Sequence, residues 1–257
     1  MAYYVRQEIT TLEQMTIAPE QVPPSLDEAY RLVRERAEKE DFNIVAWKLG
    51  GTTAPAQKAM KIDTLFFAPI SQKELVAAEG LVPGYEVMGL KTEGEIALRL
   101  SQKGAALVEA GADAVRAAAL DELFDGWCYA LEMPFATIAN AGDFGVIGIV
   151  LDRCAATCLA VGKTQEYDAA TSWGATPLSL EQDGKEIATG STDELIDSAD
   201  EVARAFLLEA LKHGFEPKVG QWISTGGMIP ATVLEKGASV VMKAGGEVVL
   251  EVKTGWE

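Results

Sequence analysis

Apolar and polar positions along this chain switch between a period near 3.6 and a period of 2, and the switches outline its elements. "SLDEAYRLV" follows Pro23-Pro24, and its Ser25 and Glu28 form a capping box that opens a helix running to about Lys39. "NIVAWKLGG" (43–51) reads as a strand ending in a glycine turn. Residues 52–70 mix signals around two prolines and are expected to form a mobile loop with a short helix. "GLVPGYEVMGL" is turn-rich, and "LKTEGEIALRL" (90–100) after it reads as a strand. The Ala-rich stretch 104–124 is expected to be helical. "WCYALEMPF" (127–135) reads as a buried strand, and 144–163 is a second apolar region. Residues 175–190 form a hairpin pattern turning at Asp183-Gly184. Ser198 and Glu201 suggest another capping box, for a helix ending at His213, and 238–253 is a hairpin turning at Ala244-Gly245-Gly246. No repeat or linker interrupts the 257 residues. The expectation is one α+β domain over 1–257, with a helical N-terminal segment (1–42) and a β-rich core (43–257).

Within this pattern Glu93 and Glu95 stand out. On a helix, residues two apart lie about 200° apart, so the carboxylates would diverge. On a strand they share one face, with Ile96, Leu98 and Leu100 on the other. Spacing alone also fits two ordinary surface glutamates. A third acid shifts the balance: Glu132 sits between "CYAL" and "MPF", and a glutamate in so apolar a strand is seldom buried without a partner. Three carboxylates on neighbouring strands, with waters completing an octahedron, make a site for Mg²⁺ or Mn²⁺.

Two further features carry chemistry. Lys48 stands in an apolar strand before Gly50 and Gly51; it either snorkels to water or is a desolvated group that binds a carboxylate or moves a proton, its pKa lowered by burial. The glycines permit close approach of a ligand or another backbone. In "QWISTGGMIPA", Ser224 and Thr225 end a strand before Gly226-Gly227, as a plain turn or as hydroxyls aimed at a ligand.

Charge and composition narrow the rest. Asp and Glu outnumber Lys and Arg 39 to 22, a net charge of -17, which disfavours nucleic acid and anionic membrane surfaces as partners. An acidic substrate would need a local offset from a metal or a buried lysine. No apolar run approaches the roughly 20 residues of a membrane span. The N-terminus lacks the pattern of a secretory signal, and three cysteines form no disulfide framework, so a cytoplasmic protein is expected. Cys154 and Cys158 read as small core residues rather than a metal pair. The single histidine, His213, reads as a helix-end residue where a cation is favoured, which argues against His-based zinc or triad chemistry.

Taken in order, "SLDEAYRLV", "WKLGGTT", "EGEIALRL", "ALEMPF", "VGK" and "ISTGGMIPA" resemble the hydratase/decarboxylase branch of the fumarylacetoacetate hydrolase superfamily, from about residue 25 to the C-terminus. That branch includes 2-oxopent-4-enoate hydratases, 2-oxohept-3-ene-1,7-dioate hydratases and 4-oxalocrotonate decarboxylases. The resemblance implies a mixed-β roll or barrel-like core with helices packed outside, and a homo-oligomer. It implies that Glu93, Glu95 and Glu132 hold Mg²⁺ or Mn²⁺, that Lys48 is catalytic, and that Gly50, Ser224 and Thr225 lie near a small 2-oxo acid substrate. Hydration of an unsaturated 2-oxo acid is the first expectation, decarboxylation the second, and C–C bond hydrolysis or a binding role without catalysis come after. Two stretches depart from the family pattern. An Asp and an Arg often follow the third glutamate, where this chain has "EMPFATIANAGDF" with Phe135 and no arginine, and Arg153 stands where an Asn-rich segment is expected.

Overall fold

The computed structural model describes residues 3–6, 14–77, 81–82, 90–235 and 237–254. Helix α1 (Leu26–Lys39) starts as expected, with the Ser25 hydroxyl accepting the Glu28 N–H, and buries Ala29, Tyr30, Val33 and Ala37 on one face. The chain continues through β1 (Ile44–Gly50), α2 (Ala54–Met60), β2 (Phe66–Ser71), β3 (Leu75–Ala77), β4 (Leu81–Val82) and β5 (Lys91–Leu100). Helices α3 (Gln102–Ala110), α4 (Ala112–Ala117) and α5 (Leu120–Leu123) lead to β6 (Phe124–Met133). Then come α6 (Gly145–Leu151), β7 (Cys158–Val161), β8 (Gln165–Glu166), β9 (Pro177–Gln182) and β10 (Lys185–Ser191). Helix α7 (Ala199–Lys212) precedes β11 (Trp222–Ser224), β12 (Ile229–Val233), β13 (Ser239–Ala244) and β14 (Glu247–Thr254).

The strands form two sheets. The larger, a curled half-barrel, runs β2-β1-β11-β5-β6-β7-β3, with β12 also paired to β5 and β8 to β6; the smaller runs β10-β9-β13-β14-β4. Pairing is mixed: β1–β11, β3–β7 and β4–β14 are parallel, and the remaining pairs antiparallel. This is the α+β, barrel-like architecture expected, with helices against the sheet.

The two faces of the large sheet differ in chemistry. Ile96, Leu98 and Leu100 of β5 are completely buried on one face. On that same side Trp47 and Phe67 meet Phe206 of α7, with ring centroids 5.3 and 5.2 Å apart, and each fully buried ring contributes about 1.5–3 kcal/mol. The opposite face of β1, β5 and β6 carries the charged residues. Because successive side chains alternate, one run of sequence builds both a core and a site.

Several expectations change. Residues 66–70, expected as part of a mobile loop, belong to the fully buried strand β2, whose backbone pairs with β1. The stretch 104–124 is helical as expected, divided into three short helices, with a break at Gly111, whose φ of +103° no helix accommodates. The Ser198 hydroxyl does not cap α7; it donates to the Asp200 carboxylate instead. His213 does end α7, but burial, with its ring stacked on Tyr30 at 4.1 Å, lowers its pKa, so it serves as a neutral ring rather than a helix-end cation. Cys154 and Cys158 are buried, their thiols pushed above the ordinary range by burial. Among the described residues no helix is long and apolar enough to cross a membrane.

Candidate metal centre

Strand register assembles the charged face. Glu93 pairs directly with Glu132 across β5 and β6, and Glu95 pairs with Ala130 two rungs along. On the other side of β5, Ala97 pairs with Ser224 of β11, and Ser224 with Lys48 of β1. Residues directly opposite, and residues two apart, share a face. All three glutamates, Ser224 and Lys48 therefore point the same way. Like charges directly opposite one another are destabilising, so the Glu93–Glu132 rung requires compensation.

Compensation inside the protein is incomplete. Glu95 and Glu132 are fully buried and Lys48 is 5% exposed. Lys48 Nζ donates to Glu132 Oε2 at 2.6 Å. The Ser224 hydroxyl and the Gly226 N–H donate to Glu95 Oε2 at 2.5 and 2.9 Å. Glu95 Oε1 and Glu132 Oε1 are buried with no hydrogen-bond partner among the described residues. Leaving a buried acceptor unsatisfied costs about 1–3 kcal/mol, and more for a charged one. Glu93, Glu95 and Glu132 each offer an oxygen, and these lie within 4.8 Å of one another. Three converging carboxylate oxygens, two partners short, fit a hard divalent cation such as Mg²⁺ or Mn²⁺, which prefers oxygen donors and retains waters.

Electrostatics agree with that fit. Burial, then the charge of Glu93, pushes Glu95 up to about 7, against the pull of Ser224 and Gly226. Burial likewise holds Glu132 well above the usual carboxylate range. For Lys48 burial is the largest single influence and acts downward, but the charges of Glu132 and Glu93, the hydrogen bond to Glu132 and the Glu95 charge together outweigh it and raise the pKa. The lowered value expected from burial alone is thus reversed. One ammonium faces three carboxylates, so Lys48 keeps its proton, and a bound cation or protonated glutamates must relieve the surplus negative charge.

A cavity of about 610 Å³ opens beside this cluster, with Lys48, Gly50 and Glu93 in its wall. Gly50 has no room for a side chain, since a Cβ there would sit 2.3 Å from Phe66 Cε2. Ser224 and Thr225 are both fully buried beside the cluster: Ser224 holds Glu95, and the Thr225 hydroxyl donates to the Ile96 carbonyl at 2.9 Å. The polar wall comes from Thr52, Thr53, Thr189 and Asp152. Thr52 lies close to the "STGG" turn because Gly226 has φ +104° and no Cβ; a Cβ there would fall 1.9 Å from Thr52 Oγ1.

The altered stretch after Glu132 has a local account. No arginine lies in the stretch 132–144, but Arg6 reaches it from the N-terminal segment, donating to the Phe135 and Asp152 carbonyls at 3.1 Å and to Thr157 Oγ1 at 3.1 Å. Asp152 accepts from the Thr137 N–H at 3.0 Å and from its hydroxyl. Arg153 points away from the cavity wall to Glu74. Nothing in the local sequence around residues 4–6 signals such a role, because its partners lie about 130–150 positions away.

No protein-family model matches the chain, and no curated protein matches it in sequence. Solved structures do. 4-Oxalocrotonate decarboxylase from Pseudomonas putida, complexed with magnesium and adipate, superposes with a TM-score of 0.78 at 17% identity, covering 95% of this chain and 91% of that one. Fumarylpyruvate hydrolase from Pseudomonas aeruginosa, in complex with Mn²⁺ and pyruvate, gives 0.58 at 17% identity over 82% and 89%. A protein from Yersinia pestis assigned to the fumarylacetoacetate hydrolase family gives 0.52 at 14% identity over 84% and 94%. On the extent of these superpositions, the chain has the fold of the fumarylacetoacetate hydrolase superfamily.

Proposed function

We propose that the protein is a divalent-metal-dependent lyase of this superfamily that acts on a small unsaturated 2-oxo acid, most simply by adding water to it. The observation that carries the reading is the pair of buried, partnerless oxygens, Glu95 Oε1 and Glu132 Oε1, beside the Lys48 ammonium at the edge of the cavity. Mg²⁺ or Mn²⁺ held by Glu93, Glu95 and Glu132 would supply Lewis acidity at the 2-oxo oxygen and stabilise an enolate. Lys48 lines the cavity, where its ammonium would act as a general acid or as the positive partner of the substrate carboxylate. Ser224 and the Gly226 N–H fix the orientation of Glu95, a positioning role. Gly50 keeps the wall thin beside Lys48. An assembly of like subunits belongs to the same reading.

Decarboxylation of a 2-oxo-enedioate is the second reading, favoured by the extent of the superposition on 4-oxalocrotonate decarboxylase, 95% of this chain. C–C bond hydrolysis by a His–Glu pair gains no support from His213, which packs against Tyr30 and does not line the cavity. The test is turnover of dienol and enone 2-oxo acids with Mn²⁺, followed by loss of ultraviolet absorbance and by CO₂ release. Hydration consumes the chromophore without CO₂; decarboxylation releases it. Lys48→Ala should abolish turnover while Mn²⁺ still binds. Full turnover in Lys48→Ala would remove lysine from the chemistry, and a binding role without catalysis predicts no turnover in the parent protein.

A further inference from the structure

The cavity wall beyond Lys48 has an uneven composition. Among its described lining residues Lys48 is the only cation, and it already donates to Glu132. The charged groups elsewhere in the wall are acids, Asp152 and Glu194. The remainder is dominated by apolar side chains, among them Met60, Phe66, Ile138, Ile149, Met228 and Pro230. The nearby guanidinium groups are committed elsewhere: Arg6 to the Phe135 and Asp152 carbonyls and Thr157, and Arg153 to Glu74 and the Pro69 carbonyl. Outside the described residues the only basic side chain in the sequence is Lys236.

We propose that the substrate carries a single carboxylate, bound at the Lys48 end, and an uncharged, apolar tail lying along the Met60–Ile149–Met228 wall. The inference rests on the reading of the site as a 2-oxo acid site and names its substrate class. A second carboxylate would be stripped of water against apolar carbon, with no cation among the described lining residues to receive it beyond Lys48, and with Glu194 sharing its sign; the Asp152 carboxylate is already paired with Arg6 at 3.7 Å. The net charge of -17 adds to that penalty at longer range. An alkyl, alkenyl or aryl tail gains from the same wall, at about 0.8 kcal/mol for each buried methylene. The size points the same way. About 610 Å³ falls in the middle of the range for sites that enclose ligands much larger than a five-carbon acid.

Calorimetry on the Mn²⁺-loaded protein tests this with two probes of equal carbon number, 2-oxohexanoate and 2-oxoadipate, which differ in a terminal methyl against a terminal carboxylate. The monoacid is expected to bind at least about tenfold more tightly. Equal or tighter binding of 2-oxoadipate would overturn the tail assignment and leave the metal reading standing. Binding of neither probe, or binding indifferent to Mn²⁺, would overturn the metal reading and this inference with it. Met60→Lys keeps an unbranched side chain at a half-buried position and puts a cation on the wall, so it should cut the monoacid preference at least about fivefold. An unchanged preference in that variant would mean that the tail lies elsewhere, and would also refute the inference.

Discussion

Two buried ion pairs in this protein have nearly the same length, but their carboxylates are in opposite states of completion. Glu74 accepts from Arg153 Nη2 through both oxygens, at 2.8 and 2.7 Å, and its Oε2 also takes the Ser71 N–H at 2.8 Å. The guanidinium stacks over Phe42 at 4.5 Å. Glu132 takes Lys48 at 2.6 Å through one oxygen, and its other oxygen, like Glu95 Oε1, has no hydrogen-bond partner. Both pairs are almost completely shielded from water. A saturated buried pair holds segments together, and removal of one partner strands a charge. An unsaturated pair beside a cavity retains coordination capacity for something that arrives from outside. Saturation of the carboxylate, rather than burial or separation, distinguishes Glu74 from Glu132.

The largest effect expected from breaking this contrast is on the closed pair. Glu74→Ala should lower stability by about 3–5 kcal/mol in urea unfolding, because Arg153 remains buried without it, and should leave Mn²⁺ affinity unchanged. Glu93→Ala should do the reverse. Mn²⁺ affinity by calorimetry should fall by more than about a hundredfold, beyond what outer-shell changes cause, while the urea midpoint holds or rises with one repelling charge gone. Unchanged affinity would end the ligand assignment.

Acidity sharpens the same point. In the fold Glu95 holds its proton up to about 7, whereas its ordinary value is 4.5. Between those values the folded state binds more protons than the unfolded one, so the chelator-treated protein should be most stable below pH 4.5, as far as this group is concerned. That contribution falls as pH rises toward 7 and then levels. Saturating Mn²⁺ should abolish the decline, and Mn²⁺ affinity should climb over the same interval. Thermal melts across pH with and without Mn²⁺ would reveal it, and identical profiles would contradict it. The smallest effect belongs to Ser224→Ala, which removes one donor to Glu95: metal affinity should drop by about tenfold with the fold intact.

Much of the site was legible along the chain because strand geometry is local. The i, i+2 spacing of Glu93 and Glu95 fixes a shared face wherever the strand lies, and Glu132 shows itself through its apolar neighbours. Helix α1 was equally plain, since Ser25 and Glu28 announce its start. Strand β2 was not, because Pro69 and the polar residues before Phe66 blur a short apolar run. The Lys48 pKa was misjudged in direction for a related reason: burial can be inferred from flanking residues, but the three carboxylates that outweigh it come from two other strands. The hydrogen bond of Ser224 to Glu95 was hidden in the same way, because the two lie 129 positions apart.

By itself, then, the sequence determined which residues alternate, which acids sit among apolar neighbours, and where helices and hairpins begin. Tertiary structure decided that Glu93 stands opposite Glu132, that Lys48 reaches Glu132 across the sheet, and that the cavity wall, among the described residues, is mostly apolar, with Glu93, Asp152 and Glu194 as its acids and Lys48 as its one cation. The division follows from range. Side-chain alternation is a property of neighbouring peptide units, whereas register, burial and the balance of charge depend on strands that meet only after the chain has closed on itself.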